Sequence, residues 1–254
     1  MLYRSLTSHP AIGGISNSGV PEDEGQHLQS VYPPARHHGG PGRFGFDEGA
    51  RLTESSPLVT PANRERLMAE WGRYWSGDRA ILAEKSPPNI IRARFLQALF
   101  PDATFVMMIR HPVAVACATR KWSRTSLASL IRHWLRCHDI LAADATLIER
   151  LQVVQYEHFV KDPGREVGRV VSSLGLQGAV PSPPVDASVN DRYFRSWRTG
   201  GTRLGRAVRD RSVVRHEAAV NRFGYSLLDL ERLPPRGLLT ADGSPDVLPA
   251  RPTP

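Results

Sequence analysis

Three short segments of the chain carry side chains that could do chemistry, each where an apolar run gives way to a turn: Glu84-Lys85-Ser86-Pro87, Ile109-Arg110-His111-Pro112 and Tyr156-Glu157. In an open α/β sheet, ligands bind beyond the carboxyl ends of the strands. Two of the segments set a cation there, facing a helix N-terminus whose dipole also favours negative charge. Arg110, with Pro112 opening a helix, has the layout of a phosphate site. Its planar fork can grip an oxyanion bidentately while first-turn N–H groups add donors. The plainer readings are a surface arginine, a solvated lysine at a strand end and a packing tyrosine.

Alternating strands and helices must position these residues. Met1–Ser8 reads as helix, and a Gly- and Pro-punctuated loop runs from His9 to about Ser56. Thr60-Pro61 opens a helix as N-cap and first-turn proline, with Leu67, Trp71 and Trp75 at helical spacing. Ala80–Ala83 is a short strand, Asn89–Phe100 a helix, and Thr104–Ile109 a continuous apolar run suited to a parallel strand covered on both faces. Helices follow over Pro112–Thr119 and Leu127–Ile148, then a strand over Leu151–Tyr156. A helix over Gly164–Leu174 is closed by Gly175. Gly178–Val189 reads as Pro-rich loop, Arg203–Phe223 as helix ended by Gly224, and 231–254 as a frayed Pro-rich tail after one domain over 1–230. The order implies an α/β fold with a parallel sheet and helices on both faces.

Composition narrows the field. The 254 residues carry 33 Lys+Arg against 25 Asp+Glu, a net charge of +8, so an anionic partner is favoured. The basic residues are dispersed and no nucleic-acid motif accompanies them, which favours a small anion in a cleft over nucleic acid. No apolar run is long enough to cross a bilayer. Two cysteines, Cys117 and Cys137, make neither a disulfide framework nor a zinc pattern. A cytoplasmic protein is the resulting expectation.

Four blocks in order carry a resemblance. They are Leu6-Thr7-Ser8-His9-Pro10-Ala11-Ile12; Glu84-Lys85-Ser86-Pro87 through Leu99-Phe100-Pro101-Asp102-Ala103-Thr104-Phe105 to Arg110; Val153-Val154-Gln155-Tyr156-Glu157 with Pro163; and Phe223-Gly224-Tyr225. Over roughly residues 1–226 the chain resembles the sulfotransferases that use 3′-phosphoadenylyl sulfate, especially the tyrosylprotein branch and its bacterial relatives. The resemblance implies a parallel sheet like that of P-loop nucleotide-binding proteins. It also implies sulfuryl transfer from that donor to a hydroxyl of a small molecule or peptide, without a metal.

The resemblance also implies roles. Arg110 would bind the donor's 3′-phosphate. The serine that relatives keep eight positions later is Ala118 here, with Thr119 beside it to supply a hydroxyl. Arg120, Lys121 and Arg124 would reinforce the site, and Tyr156 would lie near the adenosine. Lys85 would stabilise charge growing on the leaving oxygen, which is worth more in the transition state than in the ground state. Glu22, Glu24 or His27 would take the acceptor's proton; a partly buried carboxylate near like charges has a raised pKa suited to a base. Tyr193, Phe194 and Trp197, in the loop read over Gly178–Gly201, are candidate lining of the acceptor pocket or, equally, packing under that loop. The family's opening strand and Gly-rich phosphosulfate loop are expected to be missing, since the chain starts within the helix that follows them. Two expectations stay open: an N-terminally truncated enzyme, or a non-catalytic nucleotide- or anion-binding remnant of the fold.

Overall fold

The computed structural model describes residues 1–178, 185–186, 188–199 and 203–236. Helix α1 (Leu2–Thr7) leads into strand β1 (Ile12–Gly14), inside the stretch expected to be loop throughout. Its glycines are there for clearance rather than for a turn. A Cβ on Gly14 would sit 2.6 Å from Thr7 Cγ2 and 2.8 Å from Tyr3 Oη, so α1 could not lie against the strand. Irregular chain with short 3₁₀ turns then runs to α2 (Pro61–Gly72), where Thr60 Oγ1 accepts the Asn63 N–H at 3.2 Å and Pro61 fills the first turn.

Strand β2 (Ile81–Ala83) is followed by a 3₁₀ turn over Pro87–Ile91 and by α3 (Ala93–Leu99). One continuous helix was expected over 89–100. It breaks at Arg92, whose backbone leaves the helical region at φ −128°. The buried Arg92 guanidinium instead reaches the carbonyls of Ala50 and Pro33, pinning the preceding loop. Strand β3 (Phe105–Ile109) and helix α4 (Pro112–Thr119) fall where expected. Helix α5 (Leu127–Asp144) is capped by Ser126, and strand β4 (Leu151–Gln155) follows. Tyr156 begins α6 (Tyr156–Lys161) instead of ending the strand. After α7 (Pro163–Ser173), Gly175 adopts φ +72° and the Leu176 N–H returns to the Val171 carbonyl at 3.2 Å, the glycine cap read from the sequence. Helix α8 (Val189–Thr199) occupies part of a stretch expected to be loop, and α9 (Arg203–Asn221) precedes Gly224.

The described strands form two separate parallel pairs, β1 with β2 and β3 with β4. Ile12 aligns with Ile81 in the first pair, and Phe105 with Leu151 in the second. Alternation along β3 divides its side chains between two layers. Phe105, Met107 and Ile109 enter the main core with Val113, Ile131 and Trp134 of α4 and α5. Val106 and Met108 pack on the other face with Leu2, Val154, Phe159 and Val167. Helices thus cover both faces, as the α/β reading requires.

The packed chain continues to Arg236. The Pro234 carbonyl accepts His158 Nε2–H at 2.8 Å, the Pro235 carbonyl accepts Gln155 Nε2–H at 2.9 Å, and Arg236 pairs with Glu166. The start of the stretch expected to fray is therefore docked on β4, α6 and α7; positions 237–254 lie outside the described residues. No helix among the described residues is long and apolar enough to cross a membrane.

Candidate functional site

Arg110 leaves β3 at its carboxyl end, its own carbonyl fixed by Trp134 Nε1–H at 3.0 Å. Its guanidinium carbon lies 4.1 Å from the centre of the Tyr156 ring and 5.5 Å from that of Tyr193. Nε and Nη2 both donate to Asn190 Oδ1, at 2.9 and 2.7 Å. Behind them, Glu157 Oε1 accepts Asn190 Nδ2–H at 2.9 Å and the His111 backbone N–H at 3.0 Å, while Oε2 accepts the Tyr225 hydroxyl at 2.9 Å. Burial and the neighbouring Glu157 carboxylate push the Tyr225 hydroxyl far above its ordinary pKa, so it stays protonated and donates. The Tyr156 hydroxyl is buried without a hydrogen-bond partner among the described residues, which leaves a polar group for a ligand to satisfy.

One expectation needs correction. The first-turn N–H groups of α4 are not all free for an anion: the His111 N–H goes to Glu157, and the Val113 N–H goes to His111 Nδ1 at 3.2 Å. An N–H into Nδ1 makes that nitrogen the acceptor, so Nε2 carries the hydrogen it donates to the Ser226 carbonyl at 3.0 Å. Burial lowers the His111 pKa to about 4. A neutral histidine beside Arg110 caps the helix without adding a second charge.

The second cluster forms at the carboxyl end of β2. Lys85 Nζ lies 3.5 Å from Glu24 Oε1 and donates to the Glu22 carbonyl at 2.8 Å. Gln26 Nε2–H binds Glu24 Oε2 at 2.5 Å, and His27 Nε2 is 3.9 Å from the same oxygen. Desolvation lowers the His27 pKa, so it is neutral at pH 7. Glu22 and Asp23 hold left-handed backbones, φ 54° and 50°. Glu22 turns its side chain to solvent, and Asp23 Oδ1 is occupied by Ser18, whose hydroxyl and N–H hold its pKa low. Of the three acidic residues, Glu24 alone makes an ion pair with the lysine among the described residues.

Beneath this loop, Glu84 accepts from the Ser86 hydroxyl at 2.5 Å and from Asn89 Nδ2–H at 2.6 Å; burial raises its pKa. Ser86 Oγ in turn accepts the Gln26 N–H at 3.0 Å. Gly25 lies directly on that carboxyl, and a Cβ there would come within 2.4 Å of Glu84 Cγ.

The other sequence candidates are not drawn into either cluster. Thr119 ends α4 with its methyl against Gly42, and Arg120 points to solvent; among the described residues neither bonds to Arg110. Lys121 is nearer, its Nζ 5.6 Å from the Tyr193 ring centre. Phe194 and Trp197 are core residues, 5% and 6% exposed, so they do not line an open pocket. Sequence reasoning missed Asn190 and the shared role of Glu157 and Tyr225. The available signal was Glu157, an acid directly after Tyr156 where an apolar strand ends.

A model of the sulfotransferase family matches residues 1–179, the stretch that includes Glu24, Lys85, Arg110 and Tyr156. The nodulation protein NoeE of Sinorhizobium fredii is 29% identical over an alignment covering 54% of this chain and 38% of that protein. The chain therefore spans well under half the length of this curated relative. The crystal structure of a sulfotransferase from Alicyclobacillus acidocaldarius aligns over 87% of this chain and 90% of its own, at 18% identity and a TM-score of 0.44. With more than half of its residues matched by that model, the chain belongs to the sulfotransferase family.

Proposed function

We propose that the chain transfers a sulfuryl group from 3′-phosphoadenylyl sulfate to a hydroxyl acceptor. The observation that carries this is the pairing of Glu24 with Lys85 at one strand end, with Arg110 beside the Tyr156 ring at another. The donor supplies the activated sulfuryl group; the chain's residues bind, orient and move a proton. Arg110, with an unused Nη1 among the described residues, holds the 3′-phosphate, and the unpartnered Tyr156 hydroxyl satisfies a polar group of the nucleoside. Glu24 accepts the acceptor's proton, which it can do while Lys85 and Gln26 fix its carboxylate. Lys85, held beside Glu24, offsets negative charge growing on the leaving oxygen.

Calorimetry with adenosine 3′,5′-bisphosphate tests the donor assignment. Arg110→Ala should abolish detectable binding in a chain that still unfolds cooperatively. Unchanged affinity would remove Arg110 from the site.

A further inference from the structure

We propose that Asn190 is the positioning residue for Arg110, setting which edge of the guanidinium is presented to an anion; this rests on the 3′-phosphate reading above. An arginine has two forks, one along Nε and Nη2 and one across Nη1 and Nη2. Asn190 Oδ1 occupies the first through both of its nitrogens. The Nη1–Nη2 edge remains, so the phosphate is met end-on.

The amide cannot reverse. Glu157 is an acceptor only, so the Asn190 NH₂ must face it, and Oδ1 must face Arg110. Glu157 is itself held by Tyr225 and by the His111 N–H, and Asn190 is 6% exposed on α8. The order Glu157, Asn190, Arg110 also has an electrostatic purpose. A carboxylate in direct contact would neutralise the guanidinium. The interposed neutral amide transmits its orientation and leaves the charge for the ligand.

The test compares adenosine 3′,5′-bisphosphate with adenosine 5′-monophosphate, which lacks the 3′-phosphate, by calorimetry on the full chain. Asn190→Ala should weaken the bisphosphate about tenfold and leave the monophosphate within about twofold, the scale of a hydrogen bond to a charged group. Asn190→Ser is the second variant if Asn190→Ala does not unfold cooperatively. Equal losses for both ligands, no loss for either, or failure of both variants to fold would overturn the proposal and leave Asn190 a structural residue. Arg110→Ala separates the two levels. If it selectively loses the bisphosphate while Asn190→Ala does not, only the positioning role falls; if Arg110→Ala changes neither affinity, the 3′-phosphate reading itself fails.

Discussion

The two clusters sit at the ends of very different scaffolds. Arg110 rises from a five-residue strand paired in full with another, and its partners Glu157, Asn190 and Tyr225 are 8%, 6% and 0% exposed. Glu24 and Lys85 belong to a three-residue strand pair and a turn with two left-handed residues, and the Lys85 side chain is 33% exposed. A buried polar network whose carboxylate, amide and Tyr225 hydroxyl are all paired holds one geometry. A partly exposed ion pair is more readily screened and rearranged. Under the proposed function the contrast divides the labour: the β3–β4 end would fix the donor, and the β1–β2 end would exchange a proton and stabilise transient charge.

Substitutions should split along the same line. The largest effect is expected at the base: Glu24→Gln should lower turnover by about 10²–10⁴-fold with donor affinity nearly intact, while Glu22→Gln stays close to native in the same steady-state assay. A greater loss from Glu22→Gln would move the base. Lys85→Ala comes next, lowering turnover by about 10²–10³-fold with far less change in donor affinity; equal losses in both would argue against a transition-state role.

Acid should act on the scaffold through three buried histidines. Burial lowers His111, His133 and His138 to a pKa of about 4, against an unfolded value of 6.5. Between those values the unfolded chain binds protons that the folded chain refuses. Stability is thus full above pH 6.5 and declines as pH falls toward 4, each histidine contributing up to about 3 kcal/mol. Denaturant titrations at pH 7 and pH 5 should show that decline, and equal stability at both would contradict it. The smallest effect is steric. Gly25→Ala presses a methyl onto Glu84 and should destabilise the fold by about 1–3 kcal/mol in the same titrations.

Legibility in the sequence followed the same division. Strands and helices around β3 and β4 were readable because continuous apolar runs and proline and glycine caps mark them locally: Phe105–Ile109, Pro112 and Gly175 needed no tertiary knowledge. Strand β1 was not, because Gly13 and Gly14 look like turn residues until Arg79 and Ser76 are seen against the first and α1 against the second. Helix α8 was lost among flanking prolines and glycines, and with it Asn190. The strand-end positions of Arg110 and Lys85 were readable, because each closely follows a short apolar run. The choice among Glu22, Glu24 and His27 was not, since it depends on which side chain the turn aims at Lys85.

Sulfuryl transfer itself is measured by a turnover assay. The chain is incubated with 3′-phosphoadenylyl sulfate carrying radiolabelled sulfur and a panel of phenols and alcohols, with Lys85→Ala and Glu24→Gln alongside. Label should appear on at least one hydroxyl acceptor, with the rate collapsing in both variants. Binding of adenosine 3′,5′-bisphosphate with no labelled product from any acceptor would contradict it and leave a nucleotide-binding protein on a sulfotransferase fold.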